Sequence, residues 1–209
     1  MAAKGITPKE EPNDYADHPI LPPRLRPGDV IGVFSPSFPA AAHWKDDCAV
    51  RFWQERGFRV KTGALYGQRD AYRSGSVQAR AAEFNALLRD PEVTCLMAVS
   101  GGMTSNALLP HLDYDFLREY PKIIVGFSDA TALLFGIAAR TGLVTYYGPT
   151  FALFHRKPPV PEESYRFLSD ILIDPPAPPY PLPTPDWWTA DYIEWNERHR
   201  APPSSRTAC

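Results

Sequence analysis

Apolar residues in this chain fall into two rhythms. Short unbroken blocks alternate with stretches in which apolar positions recur every three or four residues. Asp29-Val-Ile-Gly-Val-Phe-Ser35, Val93-Thr-Cys-Leu-Met-Ala-Val99 and Lys122-Ile-Ile-Val-Gly126 are blocks of the first kind. They predict strands buried on both faces. Phe58 to Thr62 and Val144 to Tyr147 predict two more. The intervening stretches predict helices over Trp44 to Arg56, Ser76 to Leu88, Ser105 to Leu112 and Ala130 to Arg140. Ala49, Phe52 and Trp53 share one helical face, Gly57 stops that helix, and Ser76 is placed to cap the next. Apolar strands alternating with helices imply a parallel sheet covered on both sides. In such a sheet a site lies beyond the carboxyl ends of the strands, which selects the loops after Phe34, Val99, Val125 and Tyr147.

The pattern changes towards both ends. Residues 1–22, rich in proline and charge, read as a disordered lead-in. Residues 23–155 hold the α/β domain. Residues 156–209 read as a Pro-rich linker and tail, with one helix over Glu162 to Ile173. A formal net charge of -2 gives no basic excess for nucleic acid and no patch for a membrane surface. No run approaches the ~18 apolar residues of a membrane span, and the expected location is cytoplasmic. Three cysteines without a CxxC pair provide neither a disulfide framework nor a zinc site. Cys48 and Cys95 are expected as small buried hydrophobes and Cys209 as a bystander. No cofactor and no metal are expected.

The chemistry concentrates after the third strand, in Ser100-Gly-Gly-Met-Thr-Ser105-Asn106. Two glycines allow a sharp turn, and a hydroxyl then stands at the mouth of a helix whose first amides are free to bind an oxyanion. This is the logic of a nucleophile elbow without the G-x-S-x-G pattern. A plain helix cap is the competing reading of the same serine. Phosphate binding by the glycines lacks the motifs that usually accompany it. Asp129 after the fourth strand either edges the site or caps the helix Ala130 to Arg140. Ser35 and Ser37 shape the first loop. Arg73 either meets a substrate carboxylate or pins its own loop.

Gly101-Gly-Met-Thr-Ser105-Asn-Ala-Leu-Leu-Pro110 with Leu112-Asp-Tyr-Asp115 resembles the nucleophile segment of the LD-carboxypeptidase and microcin-immunity serine peptidases. Further motifs follow in the same order: Gly28-Asp-Val-Ile-Gly-Val-Phe-Ser-Pro-Ser37, Tyr72-Arg-Ser-Gly-Ser76, Pro121-Lys-Ile-Ile-Val-Gly-Phe-Ser-Asp-Ala-Thr131, Tyr147-Gly-Pro149 and Trp188-Thr-Ala-Asp-Tyr-Ile-Glu-Trp195. The resemblance implies a Rossmann-like, class I glutamine-amidotransferase-like N-terminal domain followed by a linker. It implies Ser105 as nucleophile and the backbone amides of Gly102 and Asn106 as oxyanion donors. It suggests Trp187 and Trp188 as stacking partners for a nucleobase.

The activity implied is metal-free cleavage of a peptide or amide bond next to a free carboxylate, in a murein tetrapeptide or a peptidyl or aminoacyl nucleotide. Pairing as a homodimer is a family expectation. The family's triad His and Glu belong to a C-terminal domain beyond residue 209. His18, His43, His111, His155 and His199 are expected as surface residues and not as substitutes. The chain is therefore expected to be almost inactive alone, and a catalytically incomplete homologue is the alternative reading.

Overall fold

The computed structural model of the chain describes residues 19–39, 48–155, 160–177, 179–180, 187–188 and 205–206. Five strands form one parallel sheet: β1 (Val30–Phe34), β2 (Arg59–Thr62), β3 (Val93–Ala98), β4 (Ile123–Gly126) and β5 (Tyr146–Tyr147), in the order β2-β1-β3-β4-β5. Ile31 on β1 lies opposite Val60 on β2 and Cys95 on β3. The order reverses at β1, which hands the chain to β2 on one side and pairs with β3 on the other. Such a reversal opens a crevice at the carboxyl ends of β1 and β3.

The pleat sorts the apolar strand residues into two cores. Val30, Phe34, Leu96, Ala98 and Ile124 face one side, where α2 (Val77–Arg89), α3 (Tyr114–Glu119) and α4 (Thr131–Thr141) cover them. Ile31, Val33, Cys95, Met97, Val99 and Val125 face the other, under α1 (Cys48–Gln54) and α5 (Val160–Leu172). Burial on both faces explains why β1, β3 and β4 lack polar alternation. Edge strand β2 is the exception, with pairing on one side only and mostly exposed side chains. Ser76 caps α2 as the sequence implies, its hydroxyl accepting from the Ala79 amide at 3.1 Å.

Four expectations change. The packed unit continues past residue 155, since α5 buries Leu168 and Leu172. Leu25 donates its amide to the Leu172 carbonyl at 2.9 Å. Tyr165 meets Trp53 edge-on at 5.5 Å, closing an aromatic group with Phe52 and Phe154. The helix expected over Glu162 to Ile173 is present as α5, and the Pro-rich surroundings concealed only that its apolar stripe packs against α1. Order also begins earlier than residue 23, because Ile20 bridges to Leu143 in parallel. The segment opened by Ser105 is a 3-10 helix, Ser105–His111, and not an α-helix. Pro110 lies inside it and cannot donate to the ladder. Cys48, expected buried, is exposed at the start of α1, whereas Cys95 is buried in the sheet. Trp44 and Cys209 lie outside the described residues. In the tail, β6 (Trp187–Trp188) pairs antiparallel with β7 (Ser205–Arg206).

Candidate active site

β3 ends at Ala98 and delivers the chain to the crevice at its carboxyl edge, where Gly101 and Gly102 turn it towards the 3-10 helix. Gly102 adopts φ +154°, and a Cβ there would stand 2.2 Å from the Ser37 hydroxyl oxygen and 2.8 Å from the Phe38 amide nitrogen. Only glycine lets the two loops come this close. The proximity has a use. The Ser37 hydroxyl accepts from the Met103 and Thr104 amides, both at 3.0 Å, and shares a hydrogen bond with the Thr104 hydroxyl at 3.1 Å. Ser37 thus fixes the Gly102–Thr104 loop across the crevice, a larger part than the turn-forming one expected of it.

Ser105 is the first residue of the 3-10 helix and is buried. Its hydroxyl donates to the backbone carbonyl of Asp129 at 2.5 Å. The Asp129 carboxylate accepts from the amides of Thr104 and Ser105, each at 3.0 Å. Asp129 is therefore a cap, but for the helix that opens at Ser105 and not for α4. The residue before α4, Ala130, makes no side-chain capping bond. A carboxylate at a helix N-terminus meets both free amides and the positive end of the dipole. The turn that brings Asp129 here includes Ser128 at φ +57°, a left-handed conformation uncommon for a residue with a side chain. Ser105 itself follows its cap position, Thr104, which makes no side-chain capping bond either.

Two buried ionic groups support these loops, and neither stood out in the sequence. Arg80 on α2 is 1% exposed. Its Nη1 donates to the Thr104 carbonyl and hydroxyl, both at 3.2 Å, and to the Pro36 carbonyl; its Nε donates to the Gly75 carbonyl at 3.0 Å. Burial lowers its pKa, the Arg73 charge adds to that, and the Asp129 carboxylate opposes it. Glu83, one turn along, accepts from the amides of Ser35 at 2.6 Å and Leu65 at 2.7 Å, joining the loops after β1 and β2. Burial raises its pKa while those two amides pull it back. Both residues occupy the inward face of a helix whose pattern reads as ordinary amphipathic charge. Ser76 at its cap and the loop motif before it were the only local signals that this helix start borders the crevice.

The other expected site residues divide. Arg73 pins its own loop, donating to the Asp70 carboxylate at 3.0 Å. Its guanidinium also stands 5.4 Å from the Tyr72 ring centroid. Trp187 and Trp188 lie in β6, away in sequence from every crevice loop. His111 is exposed at the far end of the 3-10 helix. His155, expected on the surface, is half-buried, with its Nε2 3.3 Å from the Tyr66 hydroxyl. His18, His43 and His199 lie outside the described residues. Among the described residues no histidine or glutamate is hydrogen-bonded to the Ser105 hydroxyl. No group of three or more metal-ligating side chains occurs among them, and none of their helices is long and apolar enough to cross a membrane. Phe38, Tyr72, Met103, Phe127 and Tyr147 stand exposed on the crevice loops, with the Phe127 and Tyr147 rings 5.1 Å apart.

A doubly wound parallel sheet with a serine at its switch-point crevice, held by amides and caps from three loops, defines an α/β domain with a polar, tightly specified crevice site. Comparison with known proteins gives the family: residues 31–148 match the LD-carboxypeptidase N-terminal domain, and the chain belongs to that family. It is 45% identical over 183 residues to the microcin C7 self-immunity protein MccF of Escherichia coli, covering 86% of this chain and 53% of the relative. It is 35% identical over 128 residues to a probable murein peptide carboxypeptidase of Bacillus subtilis, covering 61% of this chain and 40% of the relative. The structure of MccF in complex with aspartyl sulfamoyl adenosine superposes with a TM-score of 0.82 at 44% identity, over 89% of this chain and 57% of that one. The chain thus spans about half the length of the curated relatives it matches.

Proposed function

We propose that the chain carries the nucleophile of a serine carboxypeptidase or amidase that cleaves a peptide or amide bond next to a free carboxylate. Ser105 attacks the scissile carbonyl. The amides of Gly102 and Asn106 receive the oxyanion, and a His and Glu in the part of the protein that the relatives carry beyond this region supply the base. The observation that carries the reading is the division of amides around Ser105. Those of Thr104 and Ser105 are occupied by Asp129, whereas those of Gly102 and Asn106 have no hydrogen-bond partner among the described residues. The crevice is then left with free donors on both sides of the serine. The substrate class follows the relatives: a murein peptide, or an aminoacyl nucleotide of the kind bound to MccF in the complex named above. Arg73 and Asp129 are the proposed contacts for such a ligand's carboxyl or amino groups, and Trp187 and Trp188 the proposed stacking partners for a nucleobase.

A second reading has its own observation. The Ser105 hydroxyl is buried and bonded to a carbonyl, with no base hydrogen-bonded to it among the described residues. By itself the chain is then a catalytically incomplete homologue. The two readings separate in one experiment. The 209-residue chain, and the same chain fused to the C-terminal part of MccF, are assayed on an L,D-tetrapeptide and on aspartyl sulfamoyl adenosine. The expected result is turnover by the fusion only, abolished by Ser105→Ala. Turnover that survives Ser105→Ala overturns the nucleophile assignment. A fusion that folds, binds substrate and stays silent favours the incomplete homologue.

A further inference from the structure

Arg80 is a buried cation whose hydrogen-bond acceptors are all uncharged: three backbone carbonyls and one hydroxyl. Its Nη2 has no partner among the described residues. Burying a guanidinium against neutral acceptors is costly, and neutral donors or water would satisfy the same carbonyls at less desolvation cost. The placement suggests why a charge is kept. Thr104 stands between two ions: Arg80 holds its carbonyl and hydroxyl, while the Asp129 carboxylate holds its amide and that of Ser105. A negative charge developing on the Ser105 oxygen would form beside a fixed carboxylate, which disfavours it unless a cation lies close by.

We propose that Arg80 is a positioning residue for Ser105: its guanidinium clamps the loop that carries the serine, and its charge offsets the Asp129 carboxylate bound to the same turn. The clamp spans three loops. Through Pro36 it reaches the loop after β1, through Gly75 the entry to α2, and through Thr104 the serine segment itself. The charged groups that bear on the guanidinium are Asp129 with the opposite sign, Arg73 with the same sign, and the ionisable Tyr72 phenol. This proposal rests on Ser105 being the nucleophile, and its test does not need turnover.

The Ser105→Cys chain places a titratable thiol at the same position. The thiolate is followed by absorbance at 240 nm against the parent chain, which cancels the other cysteines. Adding Arg80→Gln removes the charge but leaves a donor for one carbonyl. The thiol midpoint is expected to rise by about one pH unit, a tenfold loss of thiolate at fixed pH. Arg80→Lys keeps the charge and is expected to stay within about twofold of the Ser105→Cys value. An unchanged midpoint in a folded Arg80→Gln chain overturns the proposal, and so does a Lys variant that shifts as far as the Gln variant. Should the Gln variant not fold, Arg80→Lys decides by amide hydrogen exchange. A lysine cannot reach Pro36, Gly75 and Thr104 together, so the Thr104 and Ser105 amides are expected to exchange at least ~10-fold faster than in the parent. Unchanged exchange overturns the clamp. Failure of the peptidase reading appears separately, as Ser105-independent turnover in the fusion, and leaves these titrations untouched.

Discussion

Replacing Gly102 with alanine tests how tightly the serine loop is specified. The added methyl would sit 2.2 Å from the Ser37 hydroxyl oxygen, 2.6 Å from its Cβ and 2.8 Å from the Phe38 backbone nitrogen, at φ +154°. Two of these neighbours cannot rotate away, so the loops must separate. Separation breaks the bonds from the Met103 and Thr104 amides to Ser37, at about 1 kcal/mol each. The backbone conformation adds about 1–3 kcal/mol for a residue with a side chain. The total is about 3–5 kcal/mol, a large share of the ~5–15 kcal/mol typical of a domain. Gly67→Ala is the control, since Gly67 also has a positive φ, +77°, but nothing lies within 4 Å of where a Cβ would stand. It should lose only the backbone component, about 1–2 kcal/mol. Urea unfolding followed by tryptophan fluorescence measures both. A Gly102→Ala chain no less stable than the Gly67→Ala chain would refute the close contact between the loops and with it the account of how Ser105 is held.

Two further outcomes follow from buried ionisable groups. Burial raises the Glu83 pKa above its ordinary value of 4.5, so its contribution to stability is fully present below that value and is lost as pH rises through the folded-state pKa. Between pH 4 and pH 7 the urea midpoint of the parent should therefore fall relative to that of Glu83→Gln, whose constant loss of one amide bond does not change with pH; parallel midpoints would contradict the shift. Burial pushes the Cys95 thiol far up, while Cys48 is exposed, so Ellman's reagent should modify Cys48 in the native chain and Cys95 only on unfolding, which mass spectrometry of labelled peptides resolves.

The sheet was legible because its central strands are buried on both faces, and the apolar blocks at β1, β3 and β4 have no other economical explanation. The carboxyl-edge rule then placed Ser105 at the crevice after β3, where the structure has it, without any contact information. What the sequence concealed was the partner of each group. Asp129 sits next to α4 in the chain and so reads as its cap, yet the left-handed Ser128 redirects its carboxylate across the crevice to Thr104 and Ser105. Arg80 and Glu83 look like surface charge because periodicity says which residues share a face, not whether that face meets solvent or three converging loops. Similarly, α5 was readable as a helix, but its docking depends on Trp53 and Phe154, over a hundred and fewer than twenty residues away respectively. Local composition therefore pointed to a linker.

If Ser105 is the nucleophile, as proposed, the contacts that locate it all lie at one sheet edge. The oxygen of Ser105 is located by the turn at Gly102, by Ser37 from the loop after β1, by Asp129 from the loop after β4 and by Arg80 from α2. Each of these is a short-range contact within one sheet edge, and together they leave the loop little freedom. A general base has a looser requirement. It must come within hydrogen-bond reach of a single oxygen and compete with the Asp129 carbonyl for a single proton. The serine hydroxyl must turn from that carbonyl before any base can take its proton. Under the proposed role of Ser105, the Asp129 carbonyl is the acceptor that a base would have to displace.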